Sequence, residues 1–137
     1  MSPASTFTIR EATESDVPEI RRLLHPFVEE QILLPRSDGE LATLSRHGFV
    51  AVASERTIGF AAVEVYSRKL AEVQGLAVAR EFQGQGIGKT LVERCVERTR
   101  ELNIVELMAI TATDKLFESC GFHYSLPDQK RALFIQL

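Results

Sequence analysis

Three glycines at alternate positions, Gly84, Gly86 and Gly88, divide an apolar run from an amphipathic one. Before them, residues 70–78 read as a strand. After them, Leu91, Val92, Cys95, Val96 and Leu102 form one apolar stripe, with Glu93, Arg94, Glu97 and Arg98 outside it. That is the pattern of a long amphipathic helix. The joint between the two is Gln83-Gly84-Gln85-Gly86-Ile87-Gly88. Glycine admits positive φ and lets the backbone approach a ligand closely. The first N–H groups of a helix are unpaired and lie at the positive end of its dipole. A glycine loop opening a helix is therefore a seat for a phosphate or pyrophosphate group.

The rest of the chain extends this unit to a mixed α/β, or α+β, protein. Phe7-Thr8-Ile9-Arg10 alternates like a strand, and Thr13 with Asp16 resembles a capping box with Asp in place of Glu. Val17, Ile20, Leu23 and Leu24 follow at helical spacing, and Pro26 is expected to close that helix. Ile32-Leu33-Leu34 is apolar, and Pro35-Arg36-Ser37 breaks it. Residues 40–46 predict a second helix, with Leu41 and Leu44 inward. Strands are expected at 49–53 and 58–66 about a turn at Ser54-Glu55-Arg56-Thr57, and Ser67-Arg68-Lys69 turns again into 70–78. Beyond the long helix, 104–111 reads as a strand. Residues 113–120 read as a short helix, ended by Gly121. Two last strands are expected from Phe122 onward and at 132–136. The order is β-α-α-β-β-β-α-β-α-β-β.

The chain has 137 residues, which predicts a single domain spanning 1–137. A net charge of -3 supplies no general attraction to nucleic acid or an anionic membrane. No signal segment opens the chain and no apolar run approaches the length of a membrane span. Cys95 and Cys120 stand apart from each other and from histidines at ligand spacing, so no metal is expected. These features predict a cytoplasmic protein with reduced thiols.

Three nucleotide motifs compete for the glycine loop. A P-loop needs Gly-x-x-x-x-Gly-Lys-Thr; Gly88-Lys89-Thr90 fits its end, but position 83 is Gln. A dinucleotide loop needs Gly-x-Gly-x-x-Gly, and here the third glycine comes one residue early. Gln-x-x-Gly-x-Gly does fit, at Gln83, Gly86 and Gly88. It resembles the pyrophosphate loop of the GNAT family of N-acetyltransferases. Gly121-Phe122 matches the Gly-Phe pair that ends the later strand–helix unit in that family. The resemblance runs from about Phe7 to Phe122 and implies a central mixed, mostly antiparallel sheet flanked by helices. It implies acetyl-CoA as acetyl donor, with no metal, and a small-molecule amine as acceptor. Leu76, Ala77 and Val78 would carry the pantetheine arm. The loop Gln83, Gly84, Gln85, Gly86, Ile87, Gly88, with Lys89, would hold the pyrophosphate. Lys89 and Thr90 equally fit solvent-facing helix positions. Many members pair, so a homodimer is one expected assembly.

Many GNAT proteins carry a tyrosine on the short helix as general acid. Here that position is Phe117, which has no proton to give and is expected only to line the coenzyme. Ile32-Leu33-Leu34-Pro35-Arg36-Ser37, Leu70-Ala71-Glu72-Val73 and Thr111-Ala112-Thr113 resemble the acetyltransferase domain of bacterial N-acetylglutamate synthase and its short stand-alone relatives. By that resemblance Glu72 accepts the amine proton, Thr111 serves near the thiolate, and Arg36 binds the acceptor's carboxylate. Chemistry agrees with the first and last roles. An ammonium must lose a proton before it attacks, and Glu72 lies in a mostly apolar run, where desolvation strengthens a carboxylate as a base. A planar guanidinium suits a carboxylate. Gln74 shares the parity of Glu72, so a wet strand face is the competing reading.

The synthase domain continues past its last strand with further basic residues, whereas this sequence ends at Leu137. Lys69, Lys130 and Arg131 are the cations that could replace them. Glutamate is thus one candidate acceptor, beside polyamines, aminoglycosides and protein amines. A GNAT-fold module that binds acyl-CoA without turnover is the rival outside the enzyme class, and an NTP-binding protein using Gly88-Lys89-Thr90 is the third reading. His25, His47 and His123 read as structural or exposed, and Cys120 as a packing residue.

Overall fold

The computed structural model describes residues 6–124 and 133–137. A sheet of five strands runs in the order β1-β2-β3-β4-β5, with β1 at Thr8–Glu11, β2 at Gly48–Ala53, β3 at Arg56–Val65, β4 at Leu70–Val78 and β5 at Glu106–Met108. The first four are antiparallel neighbours, and β5 joins β4 in parallel. Helices α1, Val17–Glu29, and α2, Asp38–Ser45, come between β1 and β2. Helix α3, Ile87–Glu101, connects β4 to β5, and α4, Asp114–Ser119, follows β5. Element by element this is the expected order as far as α4, a mixed and mostly antiparallel sheet flanked by helices. Of the two last expected strands, residues 125–132 lie outside the described set; Phe122, Tyr124 and residues 133–137 stand outside any strand.

The core explains the flanking helices. Val17, Ile20, Leu23, Leu24 and Phe27 are buried along α1, and Ile87, Leu91, Val92 and Cys95 along α3. Both stripes meet the central strands, whose Phe60, Ala61 and Ala62 are fully enclosed. Burying each large aliphatic or aromatic side chain contributes about 1.5–3 kcal/mol. A Cβ on Gly59 would come 3.0 Å from Leu91 Cδ1 and 3.2 Å from Ile87 Cγ2, so the glycine gives α3 a close seat on β3. Burial pushes the Cys95 thiol up to about 12, which fits packing rather than reaction.

Local chemistry sets the turns. Ser54 and Glu55 both have positive φ, which makes the β2–β3 hairpin a two-residue loop shorter than expected. Asp16 accepts the Thr13 N–H at 2.8 Å, as the capping-box reading requires, and both its oxygens hold Arg10 at 2.8 Å. That guanidinium keeps the Asp16 carboxyl below its ordinary range. Ser37 caps α2 in full: its Oγ accepts the Glu40 N–H at 3.2 Å, and Glu40 accepts the Ser37 N–H at 2.9 Å. Gly121, with φ 95, ends α4 as expected.

Two expectations are corrected. Pro26 lies inside α1 rather than closing it. Proline removes only its own N–H, while its carbonyl still accepts Glu30 N–H at 3.1 Å, and burial of Phe27 carries the helix one turn further. The strand expected at 104–111 is paired only at Glu106–Met108. Past Met108 the two strands part, and no ladder remains to hold the chain extended.

Candidate active site

That parting defines the site. β4 and β5 pair at Leu70 with Glu106, Ala71 with Leu107 and Glu72 with Met108, and nowhere else. From Val73 onward β4 runs beside an opening wedge. Its other edge continues bonded to β3, with one irregularity. Phe60 pairs with Ala77 and Ala62 with Gln74, so β4 uses three residues where β3 uses two. The surplus falls at Gly75-Leu76, where Gly75 has φ +68. Such a bulge leaves one residue out of the ladder and bends the strand locally.

The glycine loop follows the end of β4 that lies away from this short pairing, on the open side of the wedge. After β4 a 3₁₀ turn, Arg80–Phe82, leads to Gln83, whose side-chain amide donates to the Val78 carbonyl at 2.9 Å. This ties the loop back to the strand end. Gly84 and Gly86 both have φ +83, and a Cβ at either would meet nothing within 4 Å. Their glycine identity therefore serves backbone conformation and leaves open space above the loop. Gly86 caps α3, and its carbonyl accepts the Thr90 N–H at 3.1 Å and the Thr90 hydroxyl at 2.9 Å. Thr90 is thus bonded to its own helix. Lys89 and Gln85 are exposed, whereas Ile87 is a core residue whose contribution to a ligand is limited to its backbone. Leu76 and Val78 are half-buried on β4, with Ala77 buried between them. Leu116 of α4 would lie 3.5 Å from a Cβ on Gly88, and Val78 3.7 Å, so α4 packs over the start of α3.

A second cluster is built from side chains far apart in sequence. Arg36, just before α2, donates to the Gln74 Oε1 at 2.6 Å. The Gln74 amide donates to the Tyr66 hydroxyl at 3.4 Å, and Tyr66 donates to the Glu72 Oε1 at 2.6 Å. Glu64 stands opposite Glu72 across the β3–β4 ladder, and its Oε2 lies 3.3 Å from the same phenol. Glu72 is 8% exposed and Tyr66 50%. The bond to Glu72, followed by partial burial, pushes the Tyr66 phenol up to about 12, so it remains a donor at neutral pH. Arg36, Glu64 and Gln74 line a cleft of about 750 Å³, with Pro35, Glu40 and Arg46 among its other walls. Gln74, on the wall of that cleft, is joined to Glu72 by hydrogen bonds through Tyr66.

Other expected residues lie elsewhere. Thr111, on the loop after β5, is exposed; its Oγ1 accepts the Thr113 N–H at 2.9 Å and lies 2.9 Å from the Thr113 hydroxyl. Phe117 is buried, with its ring edge-on to Phe122 at 5.2 Å, and anchors α4. Lys69 is exposed in the β3–β4 turn, and Lys130 and Arg131 lie outside the described residues. His47 sits 3.2 Å from the Arg98 guanidinium; burial, then Arg98 and Arg46, hold its pKa below the usual value. The sequence pattern does not single out Tyr66, because it falls at the expected end of a strand. Its signal was the hairpin: Glu64 pairs with Glu72, and Tyr66 follows two residues after Glu64.

The wedge, the bulge and the glycine loop together match a known family. A family model described as Acetyltransferase (GNAT) family covers residues 12–123. The chain belongs to this family. It is an acyl-CoA-dependent N-acetyltransferase. It is similar to an uncharacterized N-acetyltransferase of Chlorobaculum tepidum, 33% identical over 120 residues, which are 88% of this chain and 77% of that protein. It is similar also to the amino-acid acetyltransferase of Pasteurella multocida, 32% identical over 130 residues, or 90% of this chain and 30% of that one. This GNAT chain thus spans under a third of that relative. Among solved structures, N-acetylglutamate synthase from Neisseria gonorrhoeae, complexed with coenzyme A and N-acetyl-glutamate, matches with a TM-score of 0.80 and 27% identity. That match covers 94% of this chain and 31% of the synthase. A Mycobacterium tuberculosis protein in complex with CoA matches with a TM-score of 0.78 and 27% identity, over 89% of this chain and 76% of that one. Among the described residues, no helix is long and apolar enough to cross a membrane.

Proposed function

We propose that this enzyme moves the acetyl group of acetyl-CoA directly to the amine of a small amino-carboxylate, with glutamate the first candidate. The observation that carries this reading is the hydrogen-bonded run Arg36–Gln74–Tyr66–Glu72. On this reading Arg36 receives a carboxylate and Glu72, at the other end of the run, serves as base. An acceptor carrying both an acid and an amine suits that pair. The relatives named amino-acid acetyltransferase and the synthase complexed with N-acetyl-glutamate support it.

The donor occupies the other half. The pyrophosphate rests on the N–H groups of Gln83 to Gly88 and the start of α3, where φ +83 at Gly84 and Gly86 shapes the loop. Lys89 adds charge beside it. The pantetheine arm follows Leu76, Ala77 and Val78 along the free edge of β4, with Phe117 of α4 packed behind it. The thioester then comes to the bulge, where the backbone N–H at Leu76 polarises its carbonyl.

Transfer follows from these positions. An acceptor carboxylate displaces the neutral Gln74 amide from Arg36, because a charge-assisted pair is the stronger one. The ammonium gives a proton to Glu72. The freed nitrogen lone pair forms the C–N bond at the thioester carbonyl, and the C–S bond breaks with its electron pair on sulfur. The thiolate takes up the second amine proton, with the Thr111 hydroxyl as the partner near it. Phe117 has no part in that proton transfer.

A thiol-release assay with acetyl-CoA and a panel of amino acids, polyamines and aminoglycosides tests the reading. Turnover is expected with amino-carboxylates. Tight coenzyme binding with no turnover on any amine would sink it, and turnover on polyamines alone would move the acceptor to a cationic class.

A further inference from the structure

Tyr66 has no place in the reading taken from sequence, yet it is the hub of the acceptor side. Its hydroxyl lies 2.6 Å from Glu72 Oε1, 3.3 Å from Glu64 Oε2 and 3.4 Å from the Gln74 Nε2. One phenol carries one proton, and the distances assign it to Glu72. The phenol oxygen then accepts from Gln74, whose own oxygen is held by Arg36. Glu72 itself is buried, and a buried carboxylate oxygen without a donor is costly. Tyr66 supplies that donor to one oxygen and leaves the other for the acceptor.

We propose that Tyr66 is the positioning residue of the transfer reaction: it fixes the Glu72 carboxylate so that one oxygen meets the incoming ammonium. The proposal rests on Glu72 being the base. Tyr66 also ties base to receptor, since the same hydrogen-bonded run ends on Arg36. When an acceptor carboxylate takes Arg36, the Gln74 oxygen is released, and the phenol keeps Glu72 in place throughout. The charged and titratable groups facing the phenol are Glu72 on β4 and Glu64 on β3, with Arg36 one residue further along the run. Tyr66 is half exposed, so removing its hydroxyl takes away a hydrogen bond and leaves the ring's packing as it is.

The test is steady-state kinetics of Tyr66→Phe, Glu72→Gln and the double variant across pH, with coenzyme binding measured for each. Tyr66→Phe is expected to lower kcat about tenfold with the acceptor KM little changed. Its pH–rate profile is expected to differ from that of the unaltered enzyme, because the hydrogen-bond donor to the base is gone. In the Glu72→Gln background the same change is expected to add no further loss. An unchanged kcat and pH profile in Tyr66→Phe, beside a Glu72→Gln variant that has lost turnover, overturns the proposal and leaves the base assignment standing. A rise in KM alone overturns it too, as does further loss in the double variant, since Tyr66 would then act on its own. If Glu72→Gln keeps full turnover, the underlying assignment of the base falls first. Loss of coenzyme binding in Tyr66→Phe refutes a purely local role.

Discussion

The two halves of the site are made in opposite ways. The proposed donor half is contiguous: Leu76 to Lys89 spans fourteen positions, and its offering is mostly backbone, shaped by Gly84 and Gly86 at φ +83. The proposed acceptor half is assembled from Arg36, Glu64, Tyr66, Glu72 and Gln74, and its offering is side chains that bond one another. Backbone presentation depends on conformation, so one family motif can serve many enzymes that share a donor. Side-chain presentation depends on identity, so one substitution can change the acceptor. Damage to the first half should register on coenzyme, and damage to the second on acceptor or turnover.

The strongest challenge to that division is Glu72→Gln. Loss of a general base typically costs a factor of about 10²–10⁴, and kcat should fall within that range while coenzyme affinity by calorimetry is unchanged. A matching loss of coenzyme affinity would break the division. Next is Gly86→Ala. A left-handed residue with a Cβ costs about 1–2 kcal/mol. Coenzyme affinity should weaken on the order of tenfold, with the acceptor KM at saturating coenzyme intact. Arg36→Lys should do the reverse. Lysine keeps the charge but loses the planar fork, so the acceptor KM should rise roughly tenfold with kcat and coenzyme binding retained. Equal turnover by the lysine variant at low acceptor concentration would remove Arg36 from the acceptor half. The smallest effect belongs to Ser37→Ala, which removes the α2 cap beside Arg36. It should cost about 1 kcal/mol and lower the thermal midpoint by roughly 3 °C. A calorimetric scan would detect it, and a rise in acceptor KM without a midpoint change would mean that Ser37 touches the acceptor.

Legibility in the sequence followed the same line. The glycine loop could be read because its residues are neighbours, and the strand before it and helix after it carry clear periodicities. Most elements followed from periodicity and caps, including the order through α4. The exceptions have physical causes. Pro26 was expected to end α1 because proline blocks one hydrogen bond, but a helix three residues from its end loses little by that. Residues 104–111 have the composition of a strand, and only Glu106–Met108 become one, since pairing is set by the neighbour and the neighbour turns away. Glu72 and Arg36 were named on resemblance and on chemistry. Their link through Gln74 and Tyr66 was hidden, because it joins a loop at 36 to a hairpin at 64–74 across the fold. Gln74, which shares the parity of Glu72, is half-buried on the cleft wall and also bridges Arg36 to Tyr66.

The surplus residue in β4 has one further consequence. Gln74 and Ala77 lie three positions apart, yet both fall opposite same-side residues of β3, Ala62 and Phe60. In an unbroken strand, sidedness follows odd and even numbers. Here the parity rule reverses at Gly75-Leu76, as a reading frame does at an inserted base. Upstream, the even Glu72 and Gln74 share one side of β4; downstream, the odd Ala77 takes that side. Deleting Gly75 alone would put the two stretches back in step and turn one of them over. The strand thus carries two messages in different frames, and the glycine between them marks the change of frame.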